Sequence, residues 1–139
     1  MSDREEPGVV PELLVRDVRA SMEFWCEVCG FSARYERLEE GFVYLVRDGA
    51  HLMLEQLGAG RNWITGELSP PFGRGMNLQI AVDDVDSLLA AFERTGRALF
   101  MQPEVTWYRA GDREVGVKQF LAADPDGYLV RFQSGQSYR

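Results

Sequence analysis

The sequence predicts an α+β fold: two βαβββ modules forming a concave mixed sheet, with the helices on its outer face. Three observations carry that expectation. A strand–helix unit occurs twice, at residues 13–31 (LLVRDVRASMEFWCEVCGF) and 79–99 (QIAVDDVDSLLAAFERTGRAL), and Val15-x-Asp17-Val18 matches Val82-x-Asp84-Val85 at the same offset. Three strand-like runs follow each helical pattern. The last of them, in AADPDGYLVRF (122–132), follows a tight turn and alternates strictly.

In the first repeat, about residues 9–57, a short strand leads to Asp17 as N-cap. The helix that follows carries Val18, Met22, Trp25 and Cys29 on one stripe and stops at Gly30. Strands are expected at about 32–38, 42–47 and 50–57, with RDG turning between the last two. The second repeat, about 76–134, has Asp84 as N-cap, a stripe of Val85, Leu88, Leu89 and Phe92, and Gly96 as the stop. Its strands are expected at about 98–108, 114–123 and 128–134, with turns at AGD and DPDG. Between the repeats, residues 58–75 hold five glycines and two prolines, which exclude regular structure. A lid and a strap between half-domains are both open for this loop. The 139 residues are expected to form one domain.

A net charge of −7 opposes partnership with nucleic acid or an anionic membrane and is compatible with a cationic ligand. The start, MSDREEPG, is polar and acidic, and no run approaches the roughly 20 apolar residues of a membrane span, so a cytoplasmic location is expected. Cys26 and Cys29 form a C-x-x-C pair without a second pair. Inside an amphipathic helix they read as small core-side residues in a reduced compartment. His51 is the sole histidine and has no evident nucleophile beside it; no P-loop or dinucleotide fingerprint occurs. No catalytic residue and no cofactor are expected.

On the last strand Tyr128, Val130 and Phe132 share one face, and Leu129, Arg131 and Gln133 the other. If the first face meets the core, the uncovered faces line a shared concavity and carry Glu12, Met53, Glu55, Asn77, Gln79, Arg131 and Gln133. Tyr35, Phe42, Tyr44, Trp107 and Tyr108 are the aromatics nearest to them, with Trp107 and Tyr108 on opposite faces of one strand. Polar groups to orient and aromatics to stack suit an amphipathic ligand. The candidate ligand-binding set is Glu12, Tyr35, Phe42, Glu55, Asn77, Gln79, Trp107, Tyr108 and Arg131.

The duplicated unit, with VPELLVRDVRASMEFWCEVCGFS at the start and FLAADPDGYLVRF at the end, resembles the glyoxalase/bleomycin-resistance/dioxygenase (vicinal oxygen chelate) superfamily, and most of all its bleomycin-resistance proteins. The resemblance covers nearly the whole chain. It implies, for the family's enzymes, a divalent metal held by one ligand from the first strand of each repeat and one from the last strand, sometimes with a fourth. Those positions fall here on Val10, Asn77 and Arg131, with Glu55 at the fourth. Valine has no donor, neutral asparagine is a weak one, and arginine is a permanent cation. His51 lies about 13 Å along the strand from Glu55, too far to share an ion.

A one-residue register slip brings Glu12 nearer the metal position. With no metal to neutralise, Arg131 is expected to pair with Glu55 or Glu12 across the cavity, or to contact an anionic or carbonyl oxygen of a ligand. The function the resemblance implies is non-catalytic sequestration of a cationic amphipathic antibiotic or similar compound. The alternative is a metal-dependent lyase or dioxygenase. One departure from the drug-binding relatives is Gly116, where some place a tryptophan. The resemblance also implies a homodimer that exchanges its N-terminal strands about Pro11.

Overall fold

The computed structural model describes residues 6–139, except for the side chains of 136 and 137. The first five residues of the acidic start lie outside the described residues. The chain divides into two compact units, Met1–Pro70 and Pro71–Arg139, with the boundary inside the glycine- and proline-rich connection. Among the described residues, no helix is long and apolar enough to cross a membrane.

The first unit runs β1 (Glu12–Val15), α1 (Val18–Met22), a π-helical continuation (Glu23–Val28), β2 (Ser32–Arg37), a 3₁₀ turn (Leu38–Glu40), β3 (Phe42–Arg47) and β4 (Ala50–Gln56). Its strands are ordered β1-β4-β3-β2, with β1 parallel to β4 and the other pairs antiparallel. Asp17 caps the helix as expected, its Oδ1 accepting from the N–H groups of Arg19 (3.0 Å) and Ala20 (3.3 Å). Gln56 Oε1 accepts from the Val18 N–H (2.9 Å), fastening the helix start to the end of β4. Leu13, Val15, Val43, Leu45, Leu52 and Leu54 alternate along the strands and are buried with Phe24, Trp25 and Val28. Each such side chain contributes about 1.5–3 kcal/mol on burial.

The helix departs from the regular stripe. Phe24 and Trp25 are consecutive, both fully buried and edge-on at 5.3 Å. A 3.6-residue period cannot bring both to one face together with Val28 and Cys29, and the turn widens instead. The Cys29 N–H bonds back to the Phe24 carbonyl (3.0 Å), five residues earlier, and the Phe31 N–H to that of Trp25 (2.9 Å). Met22, expected on the stripe, is only half-buried.

The second unit repeats the plan with β5 (Asn77–Ala81), α2 (Val85–Arg94), β6 (Met101–Ala110), β7 (Arg113–Ala123) and β8 (Leu129–Tyr138), ordered β5-β8-β7-β6. β5 is parallel to β8. Asp84 caps α2 through the Asp86 N–H (2.9 Å). The helix ends in a Schellman motif: Arg97 N–H to Phe92 carbonyl (2.9 Å), Gly96 N–H to Glu93 carbonyl (3.1 Å), and Gly96 at φ +68°. Val85, Leu88 and Phe92 are buried with Ile80, Phe120, Val130 and Phe132, and Leu89 lies at the margin. The regular part of β6 begins at Met101 rather than 98, after an exposed Phe100, and β8 runs on beyond 134 to Tyr138.

The connection folds back onto the unit at each of its ends. Its first part, residues 58–63, closes over Glu55. In its last part Phe72 is buried edge-on against Tyr128 (6.0 Å) and its N–H bonds to the Asp126 carbonyl (2.8 Å).

Candidate functional site

In the first unit, the face opposite the core is set by register. Glu12 lies beside Met53, Leu14 beside Glu55, Phe42 beside Glu55, Tyr44 beside Met53, Tyr35 beside Tyr44 and Arg37 beside Phe42. The expected residues Glu12, Tyr35, Phe42 and Glu55 therefore share one surface. Tyr35 stacks on Tyr44 (5.2 Å between centroids) and lies 6.0 Å from Phe42. The Arg37 guanidinium sits 4.3 Å above the Phe42 ring and pairs with Glu40 at 2.7 Å. At the far end of the same face the Tyr44 hydroxyl and His51 Nδ1 are hydrogen-bonded (2.8 Å). Burial, then the charge of Glu6, raises the Tyr44 phenol above its ordinary range, against a lowering by Arg34.

A cavity of about 350 Å³ opens on this face, lined by Glu12, Arg37, Glu40, Phe42, Glu55, Gly60, Arg61 and Trp63. Glu12 and Glu55 are two of its three carboxylates, with Glu40. Desolvation raises the Glu12 carboxyl above its ordinary value, and both the Glu55 charge and a hydrogen bond with Glu55 add to the rise. The Glu55 charge beside it disfavours ionisation of Glu12, in the same direction as its desolvation. Asn62 Nδ2 donates to Glu55 Oε1 (3.3 Å), and Asn62 Oδ1 accepts from the Gly58 N–H (2.7 Å). Gly60 leaves room for this carboxylate, since a Cβ at that position would lie 2.6 Å from Glu55 Oε1. Trp63 is three-quarters exposed at the cavity edge, with Arg61 over its ring (5.8 Å).

In the second unit Asn77, Gln79, Tyr108 and Arg131 share the equivalent face, together with Gln119 and Gln133. The Gln119 amide nitrogen donates to Tyr108 Oη (2.8 Å) and Glu104 Oε1 (3.2 Å). Arg131 Nε is buried and has no hydrogen-bond partner among the described residues. Trp107 lies on the opposite face from Tyr108. Its ring covers Gly116, where a Cβ would come within 2.9 Å of the indole, and Arg139 stacks over it at 4.0 Å. The indole of the neighbouring strand thus fills the space above a glycine that lacks a side chain of its own.

Sequence reasoning did not identify Arg37, Glu40, Asn62 or Gln119 as site residues. Arg37 ends β2, and Glu40 and Asn62 lie in a turn and a loop whose path no periodicity reveals. Gln119 follows Val115 and Val117 at a spacing of two, and that alternation was the available signal. Among the described residues no group of three or more His, Cys, Asp or Glu side chains could hold a metal ion. The two carboxylates of the first unit fall short of the three protein donors of a catalytic zinc site. Val10 precedes β1, which begins at Glu12.

Two βαβββ units of identical strand order, each with a polar face left free by its core, define a duplicated-module α+β protein. The pattern of the Glyoxalase/Bleomycin resistance protein/Dioxygenase superfamily matches residues 9–132, and the chain belongs to that superfamily. It is similar to a glyoxalase/bleomycin resistance protein/dioxygenase superfamily member from Vibrio splendidus 12B01, at 36% identity over 91% of this chain and 97% of that one, with a TM-score of 0.43. A protein from the mobile metagenome of V. pseudocholerae shares the fold at 19% identity, with a TM-score of 0.71 and 96% and 98% of the two chains covered. TioX from Micromonospora sp. ML1 shares it at 17% identity, with a TM-score of 0.70 and 94% and 100% covered. No curated protein sequence matches the chain.

Proposed function

We propose that this protein is a non-catalytic binding protein that sequesters a cationic, amphipathic small molecule, with bleomycin-type glycopeptides as the example its superfamily offers. The observation that carries the reading is the Glu12–Glu55 pair beside Phe42 and Trp63. Two carboxylates held close enough for the charge of Glu55 to raise Glu12 form a site that a cation relieves, and the aromatic walls accept its apolar part. Calorimetric titration with a bleomycin-class glycopeptide and with benzylamine tests it. Heat that disappears in Glu55→Gln is expected, and no heat at high micromolar concentration of either compound would count against the reading.

The same two carboxylates underlie the alternative of a metal-dependent lyase or dioxygenase. Elemental analysis of protein purified without chelator separates the two, since a stoichiometric divalent metal lost in Glu55→Gln favours the enzyme. In the single chain β1 pairs with its own β4, and the Met53 N–H bonds to the Pro11 carbonyl (2.9 Å). We further propose that two copies exchange this strand in the same register about Pro11, giving a two-fold cytoplasmic homodimer. Light scattering at micromolar concentration is expected to give a dimer mass, and deletion of residues 1–12 to weaken it.

A further inference from the structure

On the free face of the second unit two buried polar atoms of opposite kind stand without a partner among the described residues: the Nε–H of Arg131, a donor, and Oε1 of Gln119, an acceptor. Gln119 is 96% buried, being 4% exposed. The orientation of its amide is fixed by chemistry. Its nitrogen lies between Glu104 Oε1 (3.2 Å) and Tyr108 Oη (2.8 Å), and a carboxylate only accepts hydrogen bonds. Turning the amide over would set its carbonyl oxygen against that carboxylate. The orphaned oxygen is therefore held where it is by its own neighbours, and Thr106, whose hydroxyl donates to Glu104 (3.1 Å), holds the carboxylate in turn.

Arg131 stands on the same face. Leu121 lies opposite Arg131 and Gln119 opposite Gln133, so Gln119 and Arg131 are diagonal neighbours on adjacent strands, roughly 7–8 Å apart and somewhat less at their Cβ atoms. Native proteins rarely leave such atoms unpaired, and each orphan calls for an explanation. An orphaned donor and an orphaned acceptor on diagonal neighbours of one face exclude most single-function groups. A carboxylate would satisfy Arg131 and be repelled by the Gln119 carbonyl, whereas an ammonium would do the reverse.

We propose that this face carries a binding slot for a neutral amide-type group, a primary carboxamide, lactam or ureide, whose carbonyl accepts from Arg131 Nε and whose N–H donates to Gln119 Oε1. The slot lies in the second unit and does not rest on the cation-binding reading, which concerns the first.

Nuclear magnetic resonance of the full chain tests it, because the Nε–Hε signal of Arg131 and the side-chain amide of Gln119 report directly. The probe is benzamide, compared with N,N-dimethylbenzamide, which keeps the carbonyl but lacks the N–H, and with benzoate. Benzamide is expected to shift both signals and to bind about two- to tenfold more tightly than either comparison compound. Equal affinities for the three probes, or no shift of the Arg131 signal up to the solubility of benzamide, would overturn the proposal. So would a crystal structure in which benzamide leaves in place an ordered water bridging Arg131 Nε and Gln119 Oε1. In Gln119→Met, folded by thermal melting, the preference for benzamide over its dimethyl analogue is expected to vanish, and its persistence overturns the proposal. If that variant does not fold, the wild-type probe series alone decides.

Discussion

Aligned on their helix caps, Asp17 and Asp84, the two units can be compared position by position. Glu12 of the first corresponds to Gln79 of the second, Glu55 to Gln133, Met53 to Arg131, Phe42 to Gln119 and Arg37 to Glu104. The buried positions between them remain apolar: Leu13 and Val15 answer to Ile80 and Val82, and Leu52 and Leu54 to Val130 and Phe132. Both sheets share one strand order, yet one free face presents carboxylates and aromatics and the other presents amides and an arginine whose Nε is buried. Topology follows the residues facing the helix, and the side chains of the opposite face are free to diverge without disturbing it. Two copies of one backbone plan thus offer two chemistries.

The sharpest way to break the equivalence is at the turns that join the last two strands of each unit. In the first unit that turn is Asp48-Gly49, and a Cβ added at Gly49 meets nothing within 4 Å. In the second it is Asp124-Pro125-Asp126-Gly127, with both aspartates buried. Asp124 Oδ1 accepts from the N–H groups of Asp126 (3.0 Å) and Tyr128 (2.8 Å). Gly127 has φ +98°, and a Cβ there would lie 2.5 Å from the Pro71 Cα. Gly127→Ala combines a left-handed strain with a backbone clash, so a loss on the order of 3 kcal/mol is expected. Gly49→Ala is expected to stay within about 0.5 kcal/mol. Denaturant unfolding of the two variants checks both, and similar midpoints would show that the two turns are equivalent after all.

The turn comparison also shows what the sequence made legible. DPDG announced the second turn, because proline and glycine each demand a particular φ, and it announced the alternation that puts Val130 and Phe132 in the core and Arg131 opposite. Both helix caps and the approximate places of six of the eight strands follow from short-range chemistry of this kind, and the first strand of each repeat from its place before Asp17 or Asp84. The widening of the first helix does not, because it is settled by how Phe24 and Trp25 pack. Nor could any pattern reveal that Asn62 would clasp Glu55, or that Trp107 would cover Gly116, since those contacts depend on where a loop or a neighbouring strand arrives. The free faces were legible as faces. Their partners were not.

A smaller effect separates the carboxylate face from its amide counterpart by pH. The Glu12 carboxyl is raised in the folded protein by desolvation and then by Glu55, so the folded state holds that proton more tightly than the unfolded chain. The stability linked to it is fully present below the ordinary value of 4.5 and is lost as pH rises through the raised value. Glu12→Gln mimics the corresponding Gln79 and removes the titration. The variant is expected to gain on wild type as pH increases above 4.5, by less than about 1 kcal/mol because Glu12 is largely exposed and screened. Melting curves between about pH 4 and 8 measure the difference. A constant offset across that range would mean that the Glu12 carboxyl is not raised in the folded protein. A cation that binds the wild-type pair must also release that proton, so its affinity should rise with pH over the same interval. Glu55, Glu40, Arg37 and Arg61, which line the cavity with Glu12, set the field in which this happens.

The smallest expected effect on stability falls at Gly60, whose approach to Glu55 gives the first unit its cavity floor. An alanine Cβ there would stand 2.6 Å from Glu55 Oε1 and 3.6 Å from its Cδ, and no backbone atom lies nearer than 4.0 Å. The carboxylate is the end of a flexible side chain and can swing aside. Gly60→Ala is therefore expected to shift stability by no more than about 0.5 kcal/mol. Its consequence lies in the site: Glu55 leaves its hydrogen bond with Asn62 and its position beside Glu12. If the carboxylate pair binds the cation, benzylamine affinity should fall by about tenfold, the loss of one charge-assisted contact. Calorimetry and a melt on the same sample check the two halves together. Unchanged affinity with an unchanged melt would show that the exact placement of Glu55 is immaterial. The cation would then be read by the aromatic wall of Phe42 and Trp63 alone, and the distinction between a charged and an amide face would lose its functional meaning.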